Sequence, residues 1–432
     1  MTLDMDKYMK DISISYSTSE KLDSAFIVWL ADSNFSDISP DTVFLTREEL
    51  EISARFRPLN QTSLIDGVMY NPEVYGYDRA TNLSLPGVFK GVIYDITPPT
   101  LSFISPDPNE WINHQRMEMS TNEPIQKWSK KLNWKGGVFD DNAPYYFEFL
   151  DTVQVSEKKD LATYFALNDG SMYTFEMIGS DLAGNISDAT IIDSITYDIT
   201  PPIITMIYPF DDEAINNPTV SYAISEQLLL GEILWTQVDG MEDTLSPHIV
   251  NMIEDELSPE EKIRINMVNE PILMDGSIYT LTVNGRDLAS NDSETIIVSN
   301  ILYDTTPPSF SNIKPDSGSA LIHQRITYSV SEDLFKGEVI WMQTGGTNDP
   351  DAPHKVQFEG SELKFGDHND ITLLNMPQLA DGGRYTIYFT GRDRAGNIAD
   401  TVVVRDILYL SLIHISEPTR QEAISYAVFC LK

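Results

Sequence analysis

Cysteine is almost absent from this sequence: Cys430 is the only one in 432 residues. A single cysteine excludes an internal disulfide framework and a zinc site built from several thiolates. No stretch reaches the roughly 18 apolar residues of a membrane-spanning helix, so we expect no membrane insertion. Basic residues are scarce too, with 29 Lys and Arg against 66 Asp and Glu and a formal net charge of −37. That charge repels nucleic acid and anionic membrane surfaces and favours divalent cations.

What the sequence does contain is a fourfold repeat. The string Asp-x-Ala-x-Asn begins at Asp78, Asp181, Asp287 and Asp393, a step of 103 to 106 residues. Three other residues recur at nearly the same interval. They are a glutamate (Glu20, Glu123, Glu226, Glu332), a tryptophan (Trp29, Trp134, Trp235, Trp341), and a tyrosine after an Asp-Gly turn (Tyr70, Tyr173, Tyr279, Tyr385). Repeats of this length have the size of autonomous domains, not of solenoid units.

The repeats are joined by a recurring segment, Tyr-Asp-x-Thr-Pro-Pro, which begins at Tyr94, Tyr197 and Tyr303. Paired prolines fix φ and favour an extended conformation, so each linker is expected to be short and semi-rigid. We predict domains at 1–93, 94–196, 197–302 and 303–409. The first is predicted to be truncated at its N-terminus, since it lacks the Thr-Pro-Pro segment.

The last segment, Leu410–Lys432, breaks the repeat. Its text, LSLIHISEPTR followed later by ISYAVFCL, matches the translation of a transposase-type sequencing adapter. We therefore expect this segment to be a library artefact on a fragment of metagenomic origin and leave it out of the fold argument. Cys430 lies within it.

Within each repeat the hydrophobic residues alternate, as in Tyr279, Leu281 and Val283. Short alternating segments rich in β-branched and aromatic residues, with turn signals between them, are typical of antiparallel sandwiches. A core tryptophan on the third strand and a tyrosine opening the sixth indicate the immunoglobulin-like version. We predict an all-β fold of four tandem immunoglobulin-like antiparallel β-sandwiches in an extended array, with all four repeat tryptophans buried.

These motifs, Gly-x-Asp-x-Ala-Gly-Asn followed by a strand and Tyr-Asp-x-Thr-Pro-Pro, resemble the bacterial Ig-like repeats of large secreted and cell-surface proteins. The resemblance implies an extracellular or cell-surface stalk, spacer or adhesion scaffold. It also leaves open an accessory, carbohydrate-binding array attached to a secreted hydrolase. The first repeat departs from the pattern at Pro72, which interrupts its sixth strand. Thr81 and Ser290 stand where the motif has glycine, so those two loops are expected to differ in shape.

The aspartates of these motifs have two interpretations. Asp-x-Ala-Gly-Asn can be a turn in which the carboxylate accepts backbone N–H groups without any ligand. Alternatively, the loops and the linker meet at one end of a sandwich and form a calcium site, since calcium takes six to eight oxygen ligands. The candidate metal ligands form three triads: Asp95, Glu123 and Asp181; Asp198, Glu226 and Asp287; Asp304, Glu332 and Asp393. Asp66, Asp169 or Asp275 could add a further ligand from the preceding repeat.

Catalysis finds little support. His248 and His354 occupy positions where other repeats carry Tyr145 and Asp41, which suggests exposed loop sites. No nucleophile elbow, phosphate loop or zinc-binding His-x-x-x-His is present. We predict that the chain is not an enzyme and has no catalytic or cofactor-binding residues beyond the calcium ligands. The expected partner is an unidentified protein or glycan, the expected state is a monomer, and nucleic acid is not expected to bind.

Overall fold

The computed structural model describes residues 2–34, 40–50, 53–56, 63–149 and 156–411. These residues form 33 β-strands and four short 3-10 helices, arranged in eight sheets. None of the helices in the described part of the chain is long and apolar enough to cross a membrane. The all-β prediction is confirmed. The predicted artefact lies outside the described residues from position 412 onwards and stays a prediction.

The first sandwich pairs a three-stranded sheet, in the order β1-β3-β6, with a larger sheet in the order β2-β9-β7-β4-β5, to which β8 adds on β7. One 3-10 helix, Arg47–Glu49, precedes β6. The strands are β1 (Thr2–Asp4), β2 (Tyr8–Met9), β3 (Ile14–Ser17), β4 (Ser24–Ala31), β5 (Asp41–Phe44), β6 (Ser53–Phe56), β7 (Met69–Tyr77), β8 (Gly87–Val88) and β9 (Val92–Tyr94).

The other three sandwiches share one topology, in which a three-stranded antiparallel sheet faces a five-stranded sheet. The second contains β10 (Leu101–Ser105), β11 (Trp111–Ile112), β12 (Arg116–Thr121), β13 (Ile125–Gly137), β14 (Tyr145–Phe149), β15 (Ser156–Asp160), the helix Leu161–Thr163, β16 (Ser171–Asp181) and β17 (Thr190–Tyr197). Its sheets run β10-β12-β15 and β11-β17-β16-β13-β14.

The third sandwich contains β18 (Ile204–Tyr208), β19 (Ala214–Ile215), β20 (Val220–Ile224), β21 (Leu228–Gly240), β22 (His248–Asn251), the helix Glu254–Leu257, β23 (Lys262–Ile265), β24 (Ser277–Asp287) and β25 (Ile296–Tyr303). The fourth contains β26 (Phe310–Lys314), β27 (Ala320–Leu321), β28 (Ile326–Val330), β29 (Lys336–Gly346), β30 (His354–Gln357), the helix Gly360–Leu363, β31 (Gly366–Ile371), β32 (Gly383–Arg392) and β33 (Val402–Tyr409). In each, the strands pair in the same order as in the second sandwich.

Each sandwich encloses its own hydrophobic core, and the four clusters of buried side chains do not share residues. Alternation produces these cores. Along β24 every second side chain is buried, and Tyr279, Leu281 and Val283 are fully inaccessible. Burying a side chain of this size contributes roughly 1.5–3 kcal/mol. Four separate cores explain why a length of about 100 residues recurs.

The described residues divide into two compact units. One comprises the residues up to Thr200 together with 288–291, and the other comprises 201–287 and the residues from 292 onwards. The first two sandwiches belong to the first unit and the last two belong mainly to the second. The predicted domain boundaries at 94, 197 and 303 stay predictions. The rings of Tyr94, Tyr197 and Tyr303 lie in or against the core of the preceding sandwich.

One of the four predicted core tryptophans is misplaced. Trp29, Trp235 and Trp341 are buried, whereas Trp134 is 36% exposed. The strand register explains the error. In the third sandwich Trp235 pairs with Leu281, and in the second sandwich the equivalent pair is Leu132 with Phe175. Leu132 therefore occupies the core position that the tryptophan fills in the third sandwich. The buried tryptophan of that core is Trp128 instead.

Trp134 takes the place of a glutamine of the other repeats. It pairs with Tyr173 as Gln237 pairs with Tyr279. Its indole N–H donates to the carbonyl of Val138 at 2.9 Å, as the Gln237 amide does to the carbonyl of Met241. The side chain therefore closes a loop and does not fill the core.

Two further expectations about the loops and strands are wrong. Strand β7 runs through Pro72, which lies buried opposite Trp29. Thr81 and Ser290 adopt φ values of 68° and 72°, in the same left-handed region as Gly184 at 85°. Both loops thus keep the left-handed residue and the same closing bridge, and around Thr81 the hydrogen bonds from Asn82 to Asp78 hold this shape without glycine.

Candidate metal centre

The aspartate of the Asp-x-Ala-Gly-Asn motif is held in place by the asparagine of the same motif. Asp181 ends β16 and is 1% exposed. The backbone N–H of Asn185 donates to its Oδ1 at 2.8 Å, and the Asn185 side-chain amide donates to its Oδ2 at 2.9 Å. Asp393 and Asn397 make the same two bonds at 2.9 and 2.8 Å. Each loop therefore presents a buried carboxylate in a fixed orientation, as the turn interpretation requires.

The same asparagine also binds the linker. The side-chain amide of Asn185 donates to the backbone carbonyl of Asp95 at 2.9 Å, and that of Asn397 donates to the carbonyl of Asp304 at 2.7 Å. These bonds place the linker aspartate beside the loop aspartate. A turn that only satisfied its own backbone would not need to contact the linker.

A second aspartate, from the preceding sandwich, binds the linker from its other side. Asp66 Oδ1 accepts the backbone N–H of Ile96 at 2.7 Å, and its Oδ2 accepts the hydroxyl of Thr97. Asp275 accepts the N–H of Thr305 at 2.6 Å and the hydroxyl of Thr306 at 2.7 Å. The threonine of Thr-Pro-Pro is thereby explained, since its hydroxyl is the donor.

A glutamate between the second and third strands of the sandwich completes each group. Carboxylate oxygens of Asp95, Glu123 and Asp181 lie within 4.8 Å of one another. Those of Asp304, Glu332 and Asp393 meet the same limit. The second of these groups lines a cavity of about 320 Å³, whose other walls include Asp212, Glu213, Asp333 and Arg394. Two separate places in the chain thus build the same three-carboxylate arrangement.

The carboxylates in each group repel one another. Burial, together with the charges of Asp95, Asp181 and Asp66, raises the pKa of Glu123 to about 7. Burial, with the charges of Asp304, Asp393 and Asp275, likewise raises the pKa of Glu332 to about 7. The pKa values of Asp95 and Asp304 are also raised, mainly by burial. A cation at the centre would remove this unfavourable interaction.

The third candidate triad is distributed over both compact units. Asp198 belongs to the first, where it is buried and accepts the N–H of Thr200 at 3.0 Å. Glu226 and Asp287 belong to the second, where Asp287 ends β24 and is buried. This triad has the same sequence pattern as the other two groups. A calcium site shared by its three residues stays a prediction.

The first sandwich contains only part of this arrangement. Asp78 accepts bonds from the backbone and the side chain of Asn82 at 2.8 Å, as in the other loops. Asp78 is half-buried, and the described residues place no linker aspartate beside it. The motif therefore forms its turn without a metal group, so the turn and the three-carboxylate group are separable features.

A second recurring polar cluster was missed by sequence reasoning. Oδ2 of Asp243 accepts the hydroxyl of Tyr279 and the Nε2–H of His248, both at 2.6 Å. Asp349, Tyr385 and His354 repeat the arrangement at 2.5 and 2.8 Å. Both histidine side chains are only 11% exposed. The expectation that these histidines occupy exposed loop sites is therefore wrong.

In the second sandwich Tyr145 replaces the histidine, and its hydroxyl donates to Asp140 at 2.8 Å beside Tyr173 at 2.6 Å. In each case the aspartate precedes the His or Tyr by five residues. This fixed spacing was the signal that could have identified the cluster. Its members face the sandwich interior and bind one another, which accounts for the exchange of His for Tyr.

Comparisons with known proteins add little. No protein-family model and no characterised protein matches the sequence. Among solved structures, 218 chains match. One is the crystal structure of the chicken CNTN1 FN1–FN3 domains, which has 11% sequence identity. It covers 72% of this chain and 100% of its own length, with a TM-score of 0.25. At that score the similarity carries no argument about function, and the fold rests on the sheets and cores described above.

Proposed function

We propose that this chain is a non-catalytic scaffold segment of an exported bacterial surface protein, in which calcium stabilises the junctions between repeats. In this role the sandwiches act as spacers and the linkers set the spacing. The extracellular location and the bacterial adhesin context rest on the sequence resemblance. Tandem sandwiches with separate cores support the scaffold part, because each sandwich folds around its own core and can act as a spacer.

The observation that carries the calcium proposal is the repeated convergence of three carboxylates at a linker. Oxygen-only ligands suit a hard cation, and calcium tolerates the irregular geometry of loops better than magnesium does. Carboxylates whose oxygens lie within 4.8 Å of one another can contact one ion at 2.3–2.6 Å. Asp66 and Asp275 lie close enough to raise the pKa of the neighbouring glutamate, and so add negative charge that favours a divalent cation.

The physical consequence is a coupling between calcium and linker geometry. One ligand of each group is the linker aspartate, and the other two belong to the following sandwich. An ion bound to all three ties the linker to that sandwich, while Asp66 or Asp275 ties the same linker to the preceding one. Calcium binding therefore restricts the motion of two neighbouring sandwiches within a unit.

The competing proposal is an accessory array attached to a secreted hydrolase. It shares the scaffold and adds binding of a carbohydrate by exposed side chains. The two differ in the domains that flank this segment, so recovering the complete open reading frame discriminates between them. An adhesive tip or a surface anchor supports the first proposal, and a catalytic domain supports the second.

Isothermal titration calorimetry of the whole chain with calcium tests the proposed site. We expect saturable binding at the two groups that lie within a unit, Asp95 with Glu123 and Asp181 and Asp304 with Glu332 and Asp393, and one ion fewer in Glu332→Gln. Glu338→Gln, which alters a half-buried strand glutamate outside the group, is the matched control and should leave the stoichiometry unchanged. Absence of saturable binding, or equal stoichiometry in the wild type and Glu332→Gln, contradicts the proposal.

A further inference from the structure

The loop of the Asp-x-Ala-Gly-Asn motif is contacted by the preceding sandwich as well as by the linker. In the first unit the Lys10 ammonium group donates a hydrogen bond to the carbonyl of Gly184, in the motif loop of the second sandwich. In the second unit the side-chain amide of Asn216 donates to Oδ1 of Asn397 at 3.1 Å, in the motif loop of the fourth sandwich. Each contact joins two sandwiches of one unit and does not involve the linker.

Lys10 and Asn216 occupy the same position of the fold. Lys10 directly follows β2, and Asn216 directly follows β19. Each of these short strands pairs in parallel with the last strand of its sandwich, and the last residue of each pairs with the tyrosine, Tyr94 or Tyr303, that precedes the linker aspartate. The position therefore lies at the end of the sandwich from which the linker leaves. Two different side chains make the same contact from one place.

The contact is also made at the same point of the motif loop. A Cβ atom added to Gly184 would lie 3.6 Å from Nζ of Lys10, and one added to Gly396 would lie 3.8 Å from the Asn216 side-chain nitrogen. Both glycines have a positive φ, 85° and 97°. The polar end of the same fold position thus lies over the motif's glycine in both units.

The second unit adds a charged donor from the other side of the junction. The Arg394 guanidinium group, next to the motif's aspartate, donates to the backbone carbonyl of Asp212 in the third sandwich. In the second sandwich the corresponding residue is Leu182, and the charged donor is Lys10 of the preceding sandwich instead. Hydrogen bonds from charged donors are stronger than neutral ones. Each unit therefore places one such donor on a backbone carbonyl across its junction.

The first sandwich shows the same loop without this neighbour. Its Asp78 and Asn82 make the internal hydrogen bonds of the motif, but the described residues bring no preceding sandwich to the loop. Asn82 is exposed, whereas Asn185 and Asn397 are only 7% and 9% exposed. The loop therefore folds alone, and its asparagine is buried where a linker and a preceding sandwich cover it.

We propose that the motif loop is a docking surface for the preceding sandwich, and that Lys10, Asn216 and Arg394 are the positioning residues that set the orientation of the two sandwiches in each unit. These contacts need no ion, so the orientation is kept when calcium is removed. The inference goes beyond the proposed function and does not depend on it, because calcium adds stability to a junction whose geometry the docking contacts already set.

Double electron–electron resonance between two nitroxide labels on the whole chain tests the proposal, since the width of the distance distribution reports how freely two sandwiches move. For the second unit the labels are attached to Glu294→Cys and Lys355→Cys, at exposed positions of the third and fourth sandwiches. Cys430 is replaced by serine, so that only the two introduced cysteines react. All measurements are made in chelator and repeated in calcium.

The test variant for the second unit combines Asn216→Ala with Arg394→Ala. The matched control is Arg392→Ala, which removes a nearby exposed arginine whose guanidinium lies over the ring of Phe335 within the fourth sandwich. Circular dichroism checks that both variants fold.

The first unit provides a second, independent test. Its labels are attached to Lys90→Cys and Asp141→Cys, at exposed positions of the first and second sandwiches, with the same serine replacement. The test variant is Lys10→Ala. Lys10→Arg keeps a charged donor at this position and serves as the rescue variant.

In chelator we expect one narrow distribution in the wild type and in Arg392→Ala, and a distribution at least twofold wider in the variant that lacks Asn216 and Arg394. Lys10→Ala should widen the distribution of the first unit likewise, and Lys10→Arg should restore it. Test variants as narrow as the wild type would overturn the proposal. A wild type that is broad in chelator would also overturn it, and if calcium then narrows that distribution, the calcium proposal survives alone.

Discussion

The hydroxyl group of Tyr385 donates a hydrogen bond of 2.5 Å to Oδ2 of Asp349. That carboxylate oxygen also accepts the Nε2–H of His354 at 2.8 Å. The Tyr385 hydroxyl also accepts the backbone N–H of Ala380 at 2.9 Å. Loop, strand and turn are thus joined by one buried carboxylate. The third sandwich contains the same network around Asp243. We infer that this aspartate is a major determinant of the stability of the third and fourth sandwiches.

Replacing Asp349 by alanine should therefore destabilise the fourth sandwich by about 3 kcal/mol, because two buried donors lose their acceptor. Urea denaturation followed by tryptophan fluorescence measures the change. Asp400→Asn, at an exposed position, is the control and should change the free energy of unfolding by less than about 0.5 kcal/mol. Equal effects of the two substitutions would show that the network contributes no particular stability.

The same network predicts an acid limit to stability. Burial alone would raise the pKa of Asp349, but hydrogen bonds from Tyr385 and His354 outweigh burial and lower this pKa to about 2. A lowered pKa means that the unfolded chain binds the proton more readily than the folded chain does. The stabilisation is therefore complete above about pH 4 and is lost as the pH falls towards 2. Melting temperatures from pH 5 to 2 should fall less steeply in Asp349→Asn than in the wild type.

The carboxylate groups at the linkers predict the opposite pH dependence near neutrality. The pKa of Glu332 is raised to about 7, above its ordinary value of 4.5, so the folded chain binds this proton more tightly than the unfolded chain does. Without calcium, the contribution of Glu332 to stability should be complete below about pH 4.5 and should be lost as the pH rises through 7. Melts in chelator at pH 5 and pH 8 measure this decline. Glu332→Gln should reduce it, and a wild type that is equally stable at both pH values would contradict the repulsion described here.

Trp128 and Trp134 should respond very differently to substitution. Trp128 is buried in the core of the second sandwich, so Trp128→Ala should cost about 3–5 kcal/mol. Trp134 closes a loop where two other repeats use glutamine, so Trp134→Gln should cost less than about 1 kcal/mol. Chemical denaturation of the two variants checks the difference. A larger loss for Trp134→Gln would mean that the register assignment is wrong.

These residues show how far the sequence predicted the structure. The sandwich fold and the convergence of Glu332 with Asp304 and Asp393 follow from strand order, because loops at one end of a sandwich must meet. Trp134 was misplaced because the tryptophans of the repeats were matched to one another by residue type. The strand pairing shows that the core position on β13 is Leu132, two residues before Trp134. His248 was misjudged because its partner, Asp243, looks like any other loop aspartate until the backbone brings it to the tyrosine.

If calcium stabilises the junctions between repeats, the ion should raise the melting temperature of the whole chain. The measurement compares millimolar calcium with chelator at pH 7.5, with magnesium at matched ionic strength as control. Binding to the folded chain should add about 2.7 kcal/mol per site at a hundredfold excess over Kd. We expect a rise of several degrees in calcium that magnesium does not reproduce and that Glu332→Gln reduces. Equal melting temperatures in calcium, magnesium and chelator would contradict it.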